Sequence, residues 1–295
     1  MVIFLEDGRF GNQLFQYLGL KNYYPNHLLI LFGFNDLCNV IDVDNAIIFR
    51  ARFFKNVVFL RVMRLFLKFL SGLRIISKDV ELNQDITYSI SKKNGLFIQL
   101  RWLSNAFFQH NNFINLICND HFPVNFVKNS KFLVLAKKIL DDLRCCYKNE
   151  QFVFVHIRRG DYKIWPSADS PAVLPIEWYL RTMNQLRSEI KSSRFLIFTD
   201  DHEYVREKLN GINDVTVVRE SIYVDFLIMA QCEHGIMSAS SFSWWAGYLA
   251  HKKNPKGKFI GPRYWVGHRK EKWYPLYFKF DWIDYESTNF LFIEK

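Results

Sequence analysis

The stretch FVFVHIRRGD (152–161) decides the fold class of this chain. Four apolar residues predict a short buried strand, and a charged loop with a glycine follows it directly. Further strands are predicted in the same half at RFLIFTDD (194–201), VTVV (215–218), GIMS (235–238) and KFIG (258–261). Helical segments separate them, at 175–191, 203–209, 223–232 and 242–250. This alternation predicts an α/β fold with a parallel sheet, whose ligands bind at the carboxyl ends of the strands.

The N-terminal half begins with the same pattern and then loses it. A strand at 2–5, a glycine loop at 8–11, a helix at 12–23 and a strand at 28–32 are predicted in succession. Beyond them the half is irregular apart from a basic segment described below, a strand at 96–100 and a helix over 126–146, which ends in a polar break. The chain has 295 residues, enough for about two domains, which we place at 1–148 and 149–295.

The composition is globular, with 49% hydrophobic and 23% charged residues, and this excludes disordered and fibrous classes. The five cysteines include no C-x-x-C pair, and the chain has no Asn-x-Ser/Thr sequon. We therefore expect a reducing, non-secreted setting and no zinc site. The start MVIFLEDGRF soon reaches an acid, and no apolar run is long enough to span a bilayer. Neither a signal peptide nor a transmembrane helix is expected.

Basic charge is concentrated in one window. The net charge is +10, from 39 Lys and Arg against 29 Asp and Glu, and no acid lies between Asp44 and Asp79. Segment 50–78 holds these basic residues: Arg50, Arg52, Lys55, Arg61, Arg64, Lys68, Arg74 and Lys78.

Residues 57–76 of this window predict a basic amphipathic helix. Two sets recur at spacings of three and four, so each shares a face: the basic Arg61, Arg64 and Lys68, and the apolar Leu60, Met63, Leu67 and Leu70. Three interpretations stay open: an ordinary surface helix, a helix lying on an anionic membrane, and a nucleic-acid-binding helix, which no motif supports.

The loop after the 152–155 strand contains His156, Arg158, Arg159 and Asp161. Guanidinium groups bind phosphate oxygens through paired hydrogen bonds, so two adjacent arginines at the carboxyl end of a strand suit a di- or triphosphate. Asp161 can hold one arginine in position. The alternative is purely structural, with ion pairs for both arginines and a buried, satisfied His156.

Asp200 and Asp201 end the next strand. Such an acid can accept hydrogen bonds from a base or a ribose, bind a divalent metal, or cap the helix that follows. Because neighbouring residues of a strand point to opposite faces, the metal interpretation is disfavoured.

Two more loops lead from a strand into a helix. Ser240, Ser241 and Phe242 begin the helix at 242–250, where hydroxyl and backbone N–H groups bind an anion or simply cap the helix. Gly11 and Asn12 end a glycine loop that lacks the G-x-G-x-x-G spacing of a dinucleotide site but still favours an anionic ligand. Together the four loops predict a nucleotide diphosphate held in a cleft between the two domains.

Four stretches resemble the bacterial α-1,2-fucosyltransferases of glycosyltransferase family 11: GRFGNQLFQY (8–17), HIRRGDY (156–162), FTDD (198–201) and DFLIMAQCEHGIMSASSFSWWAGYL (225–249). The resemblance implies a GT-B-like fold with two Rossmann-like domains facing a cleft. It also implies GDP-fucose as donor, inversion at the anomeric carbon, and no metal or other cofactor.

The resemblance further implies residue roles. Arg158 is expected on the β-phosphate with Arg159 supporting it, and these two are the expected catalytic residues. The other expected donor-binding residues are Gly11, Asn12, His156, Asp161, Asp200, Asp201, Ser240, Ser241 and Phe242. Among them, His156 and one of the two adjacent acids belong near guanine or ribose. Family members usually have Asn where Ala239 stands.

The implied activity is transfer of L-fucose to O2 of a terminal galactose, on an oligosaccharide or glycolipid acceptor for a surface polysaccharide. The expected location is the bacterial cytoplasm, peripherally at the inner face of the membrane, with no nucleic-acid partner. Alternatives are a fucosyltransferase of another linkage and a catalytically inactive nucleotide-sugar-binding protein. The sequence leaves the general base open, with Glu6, Asp7 and Asp36 of the N-terminal half as the candidates.

Overall fold

The computed structural model describes residues 1–50, 56–83, 88–119, 126–127 and 130–288. Two basic residues of segment 50–78, Arg52 and Lys55, lie outside the described residues.

The chain divides into two compact units, Met1–Lys128 and Asn129–Lys295. The predicted boundary after residue 148 is therefore too late in the sequence. The helix before that point packs on the second unit, since the ring centroids of Phe132 and Tyr223 lie 4.7 Å apart.

Six strands and three helices are found among the described residues of the N-terminal unit. The strands are β1 (Val2–Leu5), β2 (Leu29–Phe32), β3 (Ala46–Phe49), β4 (Ile76–Asn83), β5 (Tyr88–Lys93) and β6 (Phe97–Ser104). The helices are α1 (Phe10–Tyr23), α2 (Asn56–Gly72) and α3 (Asn111–Asn119). The strands form one sheet in the order β3-β2-β1-β6-β4-β5, parallel except for the β4–β5 pair.

The two faces of this sheet bury different kinds of side chain. On one face α2 packs against Leu5, Ile76 and Trp102. On the other, the buried carboxylate of Asp79 accepts hydrogen bonds from Arg101 Nε at 2.8 Å and from the hydroxyl of Tyr24, which follows α1, at 2.7 Å. The first face is an ordinary apolar core, whereas the second contains a charged pair that is fully hydrogen bonded, as buried charges must be.

The C-terminal unit contains five helices and six strands within the part of it that is described. The helices are α4 (Lys131–Cys146), α5 (Ile176–Glu189), α6 (His202–Lys208), α7 (Ile222–Met229) and α8 (Ser241–Lys253). The strands are β7 (Gln151–Ile157), β8 (Ser193–Thr199), β9 (Val215–Val217), β10 (His234–Ile236), β11 (Phe259–Pro262) and β12 (Asp284–Glu286).

These six strands form a fully parallel sheet in the order β12-β11-β10-β7-β8-β9. The order reverses at β7, because β8 and β9 lie on one side of it and β10 to β12 on the other. The core below the sheet contains Trp178, Tyr179 and Met183 of α5, all fully buried. The α/β prediction is confirmed in both units.

No helix among the described residues is both long enough and apolar enough to cross a bilayer.

Candidate active site

The reversal of strand order in the C-terminal unit creates a crevice at the carboxyl ends of β7 and β10. The loops after two adjacent parallel strands run in opposite directions at such a reversal, and the opening between them is where α/β proteins bind their ligands. The two loops are joined by a hydrogen bond of 2.7 Å between His156 Nδ1 and Ser238 Oγ. The third loop, after β8, is tied to β7 because Thr199 Oγ1 donates to the Ile157 carbonyl oxygen at 2.9 Å.

Arg158 leaves β7 and is held between two carboxylates. One terminal nitrogen forms an ion pair with Asp161, and the other lies 2.9 Å from Asp200 Oδ2. The guanidinium also lies 5.5 Å from the ring centroid of Tyr162. A guanidinium has five N–H groups, so these two carboxylates orient it while leaving it able to donate to a phosphate.

Arg159 is positioned more tightly. Its guanidinium carbon lies 3.3 Å from the ring centroid of Tyr204, its Nε lies 3.1 Å from Asp201 Oδ2, and its backbone N–H donates to Asp200 Oδ1 at 2.8 Å. Gly160, which follows, allows this packing, because a Cβ there would lie 2.7 Å from Asp200 Oδ2. Arg159 therefore anchors the loop that presents Arg158.

His156 is buried and neutral. Burial, with the nearby Arg158 charge, lowers the pKa of His156 to about 3. Its ring centroid lies 5.3 Å from that of Phe242. A neutral imidazole at this place can exchange hydrogen bonds but adds no positive charge beside the two arginines.

The N-terminus of α8 forms the β10 side of the crevice. Ser240 caps the helix, since its Oγ accepts from the Phe242 N–H at 3.3 Å. The preceding turn is held by Tyr162, whose hydroxyl donates to the Ala239 carbonyl oxygen at 3.0 Å. Ser241 and Phe242 stand in the first turn, where backbone N–H groups favour an anion.

Asp200 and Asp201 are engaged with cations of this chain. Asp201 caps α6 by accepting from the Tyr204 N–H at 3.3 Å, and Lys163 Nζ lies 3.0 Å from its Oδ2. The Lys163 and Arg159 hydrogen bonds lower the pKa of Asp201. Among the described residues, no three His, Cys, Asp or Glu side chains are placed to hold a metal ion together.

Three participants were not singled out from the sequence. Tyr162 lay within the quoted HIRRGDY stretch, but nothing indicated that its hydroxyl would reach the next loop. Tyr204 lies three residues after Asp201, and no sequence pattern marks it. Asp225 of α7 is buried, and its Oδ1 has no hydrogen-bond partner in the part of the chain that is described. Burial raises the pKa of Asp225 to about 7.

Gly11 and Asn12 belong to the first turn of α1, in the N-terminal unit. Asn12 Oδ1 accepts from Gln109 Nε2 at 2.9 Å. Their predicted contact with a diphosphate stays a prediction. The structure brings the other predicted donor-site residues together around the carboxyl ends of β7, β8 and β10.

Glu6 follows β1 in the same N-terminal unit. Its Oε2 accepts hydrogen bonds from Gln13 Nε2 at 2.8 Å and from the Phe34 N–H. Gly33 has a φ of +94° and faces this carboxylate, because a Cβ there would lie 2.2 Å from Glu6 Cδ. Burial raises the pKa of Glu6 to about 7.

A family model for glycosyl transferase family 11 matches residues 52–283, most of both units. The chain belongs to glycosyl transferase family 11. The resemblance found in the sequence motifs is thereby confirmed for most of the chain; three of the four quoted stretches lie within the matched region, and the stretch at 8–17 lies before it.

Several curated relatives are similar in sequence to part of this chain. An α-1,2-colitosyltransferase from Escherichia coli is 32% identical over 44% of this chain and 45% of its own length. The O-antigen biosynthesis glycosyltransferase WbnK from Escherichia coli is 26% identical, over 56% and 50% respectively. Galactoside α-(1,2)-fucosyltransferase 1 from Saimiri sciureus is 32% identical, over 34% and 29%. The matched region of the chain spans half or less of the length of each of these relatives.

A solved structure matches the family 11 chain almost end to end. The glycosyl transferase family 9 protein from Veillonella parvula DSM 2008 has a TM-score of 0.52 and 9% identity, covering 98% of this chain and 86% of its own. At this identity the likeness concerns the fold alone. Two units with mostly parallel sheets, matched by a glycosyltransferase, are GT-B-like, as the sequence predicts.

Proposed function

We propose that this protein transfers L-fucose from GDP-β-L-fucose to O2 of a terminal galactose, with inversion at the anomeric carbon. The observation that carries the proposal is the crevice between β7 and β10. There a carboxylate-anchored Arg158 and the N-terminus of α8 converge. The α-(1,2)-fucosyltransferase relatives support the sugar and the linkage.

The chemistry requires a group that stabilises the departing diphosphate. Breaking the bond between fucose and phosphate leaves negative charge on GDP and oxocarbenium character on the sugar, as in glycoside cleavage. Preorganised donors aimed at that charge lower the barrier. Arg158 supplies this stabilisation and Arg159 holds its loop, while Ser240, Ser241 and Phe242 surround the pyrophosphate. No metal or other cofactor takes part.

Asp225 is suited to recognising the guanine base of GDP through hydrogen bonds. It precedes Phe226, whose ring centroid lies 5.6 Å from that of Phe242, so α7 packs beside the N-terminus of α8. Guanine presents N1–H and its 2-amino group side by side, and an unengaged carboxylate oxygen accepts from such a pair. Uracil and adenine lack this pair of donors. In the proposal His156 lies near the base or the ribose.

Inversion also requires a base that removes the acceptor proton. Asp7 forms an ion pair with Arg64 at 3.3 Å, whereas Glu6 has a pKa of about 7, the value suited to a general base at neutral pH. Glu6 is the base of this proposal. Gly11 and Asn12, nearby in sequence, stay the donor-binding residues that the family resemblance predicts in the N-terminal unit.

The acceptor in this proposal is a galactose-terminated oligosaccharide or glycolipid. The relation to an O-antigen glycosyltransferase supports a role in surface polysaccharide biosynthesis. Such acceptors are built at the inner face of the bacterial cytoplasmic membrane, so the protein acts in the cytoplasm at that surface.

Calorimetric titration with GDP, UDP and ADP, all in EDTA, tests the donor site. We expect selective GDP binding, followed by transfer from GDP-fucose that persists in EDTA. Equal binding of all three nucleotides would remove the donor assignment. An absolute requirement for Mg²⁺ or Mn²⁺ would instead favour Asp200 and Asp201 as metal ligands.

A Glu6→Gln variant tests the general base. It should keep its affinity for GDP and lose turnover, and full turnover would remove Glu6 as the base.

A second candidate donor is GDP-colitose, favoured by the colitosyltransferase relative. Colitose is fucose without the hydroxyl group at C3, so the two donors differ only in that hydroxyl. A competition assay with both donors and one galactoside acceptor separates them. Preferential colitose transfer would reassign the sugar, and transfer of neither after normal GDP binding would favour an inactive nucleotide-sugar-binding protein.

A further inference from the structure

Helix α2 carries two apolar faces, and only one of them is buried. Leu60, Met63, Leu67 and Leu70 recur at helical spacing and belong to the cluster that contains Trp102 of the sheet. This is the face that the sequence periodicity singles out. It stabilises the N-terminal unit and is covered, so it is not available to a partner.

The second apolar face is exposed to solvent. At about 100° per residue, six residues of α2 and the turn after it fall within an arc of about 100°, next to the buried face. Each is between 53% and 66% exposed: Val58, Val62, Leu65, Phe66, Phe69 and Leu73. A contiguous apolar face of this kind is unusual on a protein surface and marks an interaction site.

The exposed apolar surface continues beyond the helix. Leu96 and Phe97, at the start of β6, are also exposed. Their backbone N–H groups donate to the carbonyl oxygens of Arg74 and Ile75, at 2.7 and 3.0 Å, just after α2 ends. The apolar surface therefore extends past the helix terminus.

Basic side chains follow one edge of the exposed face. Arg61 and Lys68 are exposed on the adjoining arc of the helix, and Arg74 is exposed just after its end. Arg64 is partly engaged, since it donates to Asp7 Oδ2 at 3.3 Å. The sequence holds no acid from residue 45 to residue 78. Within the part of the chain that the structure describes, Arg61, Lys68 and Arg74 form no ion pair, so positive charge follows the edge of the apolar face.

We propose that this face of α2 docks on the surface of an anionic lipid bilayer. Leucine, valine and phenylalanine side chains enter the boundary between headgroups and acyl chains, while arginine and lysine meet anionic headgroups. A second copy of the chain is a poorer occupant. A two-fold symmetric contact through this face with the two helices antiparallel would bring the two basic edges together.

Flotation of the whole protein with lipid vesicles tests the docking and needs neither donor nor acceptor, so it is independent of glycosyl transfer. Vesicles of phosphatidylcholine alone are compared with a mixture that includes phosphatidylglycerol. We expect binding to the anionic vesicles only, weakened by salt. Leu65→Ser/Phe69→Ser and Arg61→Glu/Lys68→Glu should each lower the vesicle partition coefficient by about tenfold or more.

The matched control is Val134→Ser/Leu135→Ser, which removes two exposed apolar residues from α4 in the other unit and should leave flotation unchanged. Thermal melts identify a variant that fails through misfolding, and the charge variant tests the same face without changing an apolar residue. Absence of binding, or equal binding to neutral vesicles, would overturn the proposal. Self-association that Leu65→Ser/Phe69→Ser abolishes would assign the face to a second copy instead.

Discussion

At the scale of single residues, the two adjacent arginines have different surroundings. Arg159 is covered by the Tyr204 ring and anchored by Asp201, whereas Arg158 lies between Asp161 and Asp200 at the mouth of the crevice. The sequence interpretation left ion pairing and phosphate binding as alternatives. The structure shows ion pairs for both arginines, whose side chains are each 16% exposed, and the two carboxylates orient the Arg158 guanidinium.

Arg158→Ala should lower kcat for transfer from GDP-fucose by about 10²–10³-fold, because it removes a preorganised donor to the leaving phosphate. Its cost in the free energy of unfolding should be about 1–3 kcal/mol, because the largely buried guanidinium pairs with both Asp161 and Asp200. Initial rates and chemical denaturation measure the two effects.

Arg187→Ala is the matched control for this change. Arg187 forms a comparable two-point contact with Asp214 at 2.7 and 2.8 Å, just ahead of β9 and so at the amino ends of the strands. Turnover should be unchanged in this variant. Full activity of a folded Arg158→Ala protein would remove the catalytic assignment.

Asp225→Asn should become more stable relative to the wild type as pH rises. Burial raises the folded pKa of Asp225 to about 7, so ionising it in the native state is costly. Below the pKa of Asp225 in the unfolded chain this cost to the free energy of unfolding is absent. Between the unfolded and the folded pKa it grows by up to about 1.4 kcal/mol per pH unit, and above the folded pKa it stays constant. Denaturation at about pH 4 and about pH 8 measures the difference.

The same variant should bind GDP more weakly, because it loses the carboxylate proposed to accept from guanine. Asp142→Asn, an exposed acid on α4, serves as the control for both readouts. Parallel pH profiles for wild type and Asp225→Asn would contradict the raised pKa, and unchanged GDP affinity would contradict the role in base recognition.

At the scale of elements, two tasks are proposed for the N-terminus of α8, capping the helix and binding an anion. Ser240 caps the helix while its first turn lines the crevice, and Trp244 and Trp245 behind it are fully buried. The capping interpretation of this motif is confirmed, and the anion-binding interpretation stays a prediction.

Ser240→Ala and Ser130→Ala separate these two tasks. Both serines accept from the N–H two residues later at 3.3 Å, Ser240 at the start of α8 and Ser130 at the start of α4. Each substitution should cost about 1 kcal/mol in the free energy of unfolding. Only Ser240→Ala should also weaken GDP binding in calorimetry. Equal GDP affinity in the two variants would mean that the α8 terminus is structural only.

Helix α2 shows where periodicity stops being informative. The sequence identifies an amphipathic helix, and the structure confirms a helix at Asn56–Gly72. The predicted apolar face is the one buried against the sheet, so it cannot lie on a membrane. A second apolar face remained hidden in the pattern, because Val62, Leu65 and Phe69 alternate with basic residues along the chain.

At the scale of the whole molecule, the two units resemble each other in architecture but not in how readily they can be predicted. In the C-terminal unit, apolar runs predicted five of the six strands, and each predicted end lies within two residues of the observed one. Only β12, with its polar sequence, was missed. In the N-terminal unit β3, β4, β5 and α3 were missed, and the region was expected to be irregular.

Strand β4 shows the physical reason for these omissions. Its core-facing positions include Ser77 and Asp79, both fully buried. Asp79 is acceptable there only because Arg101 Nη2 donates to it at 2.8 Å, from a strand that is not adjacent in sequence. A pattern search that expects apolar residues at core positions therefore misses this strand.

The α/β class, the strand-to-helix loops and the family followed from the sequence alone, because alternating apolar runs and contiguous motifs are local properties of the chain. The place of α4 in the second unit, the stacking of Arg159 on Tyr204 and the exposed face of α2 became known from the three-dimensional structure. Each of these depends on contacts between residues far apart in sequence, and such contacts leave no local periodicity to read.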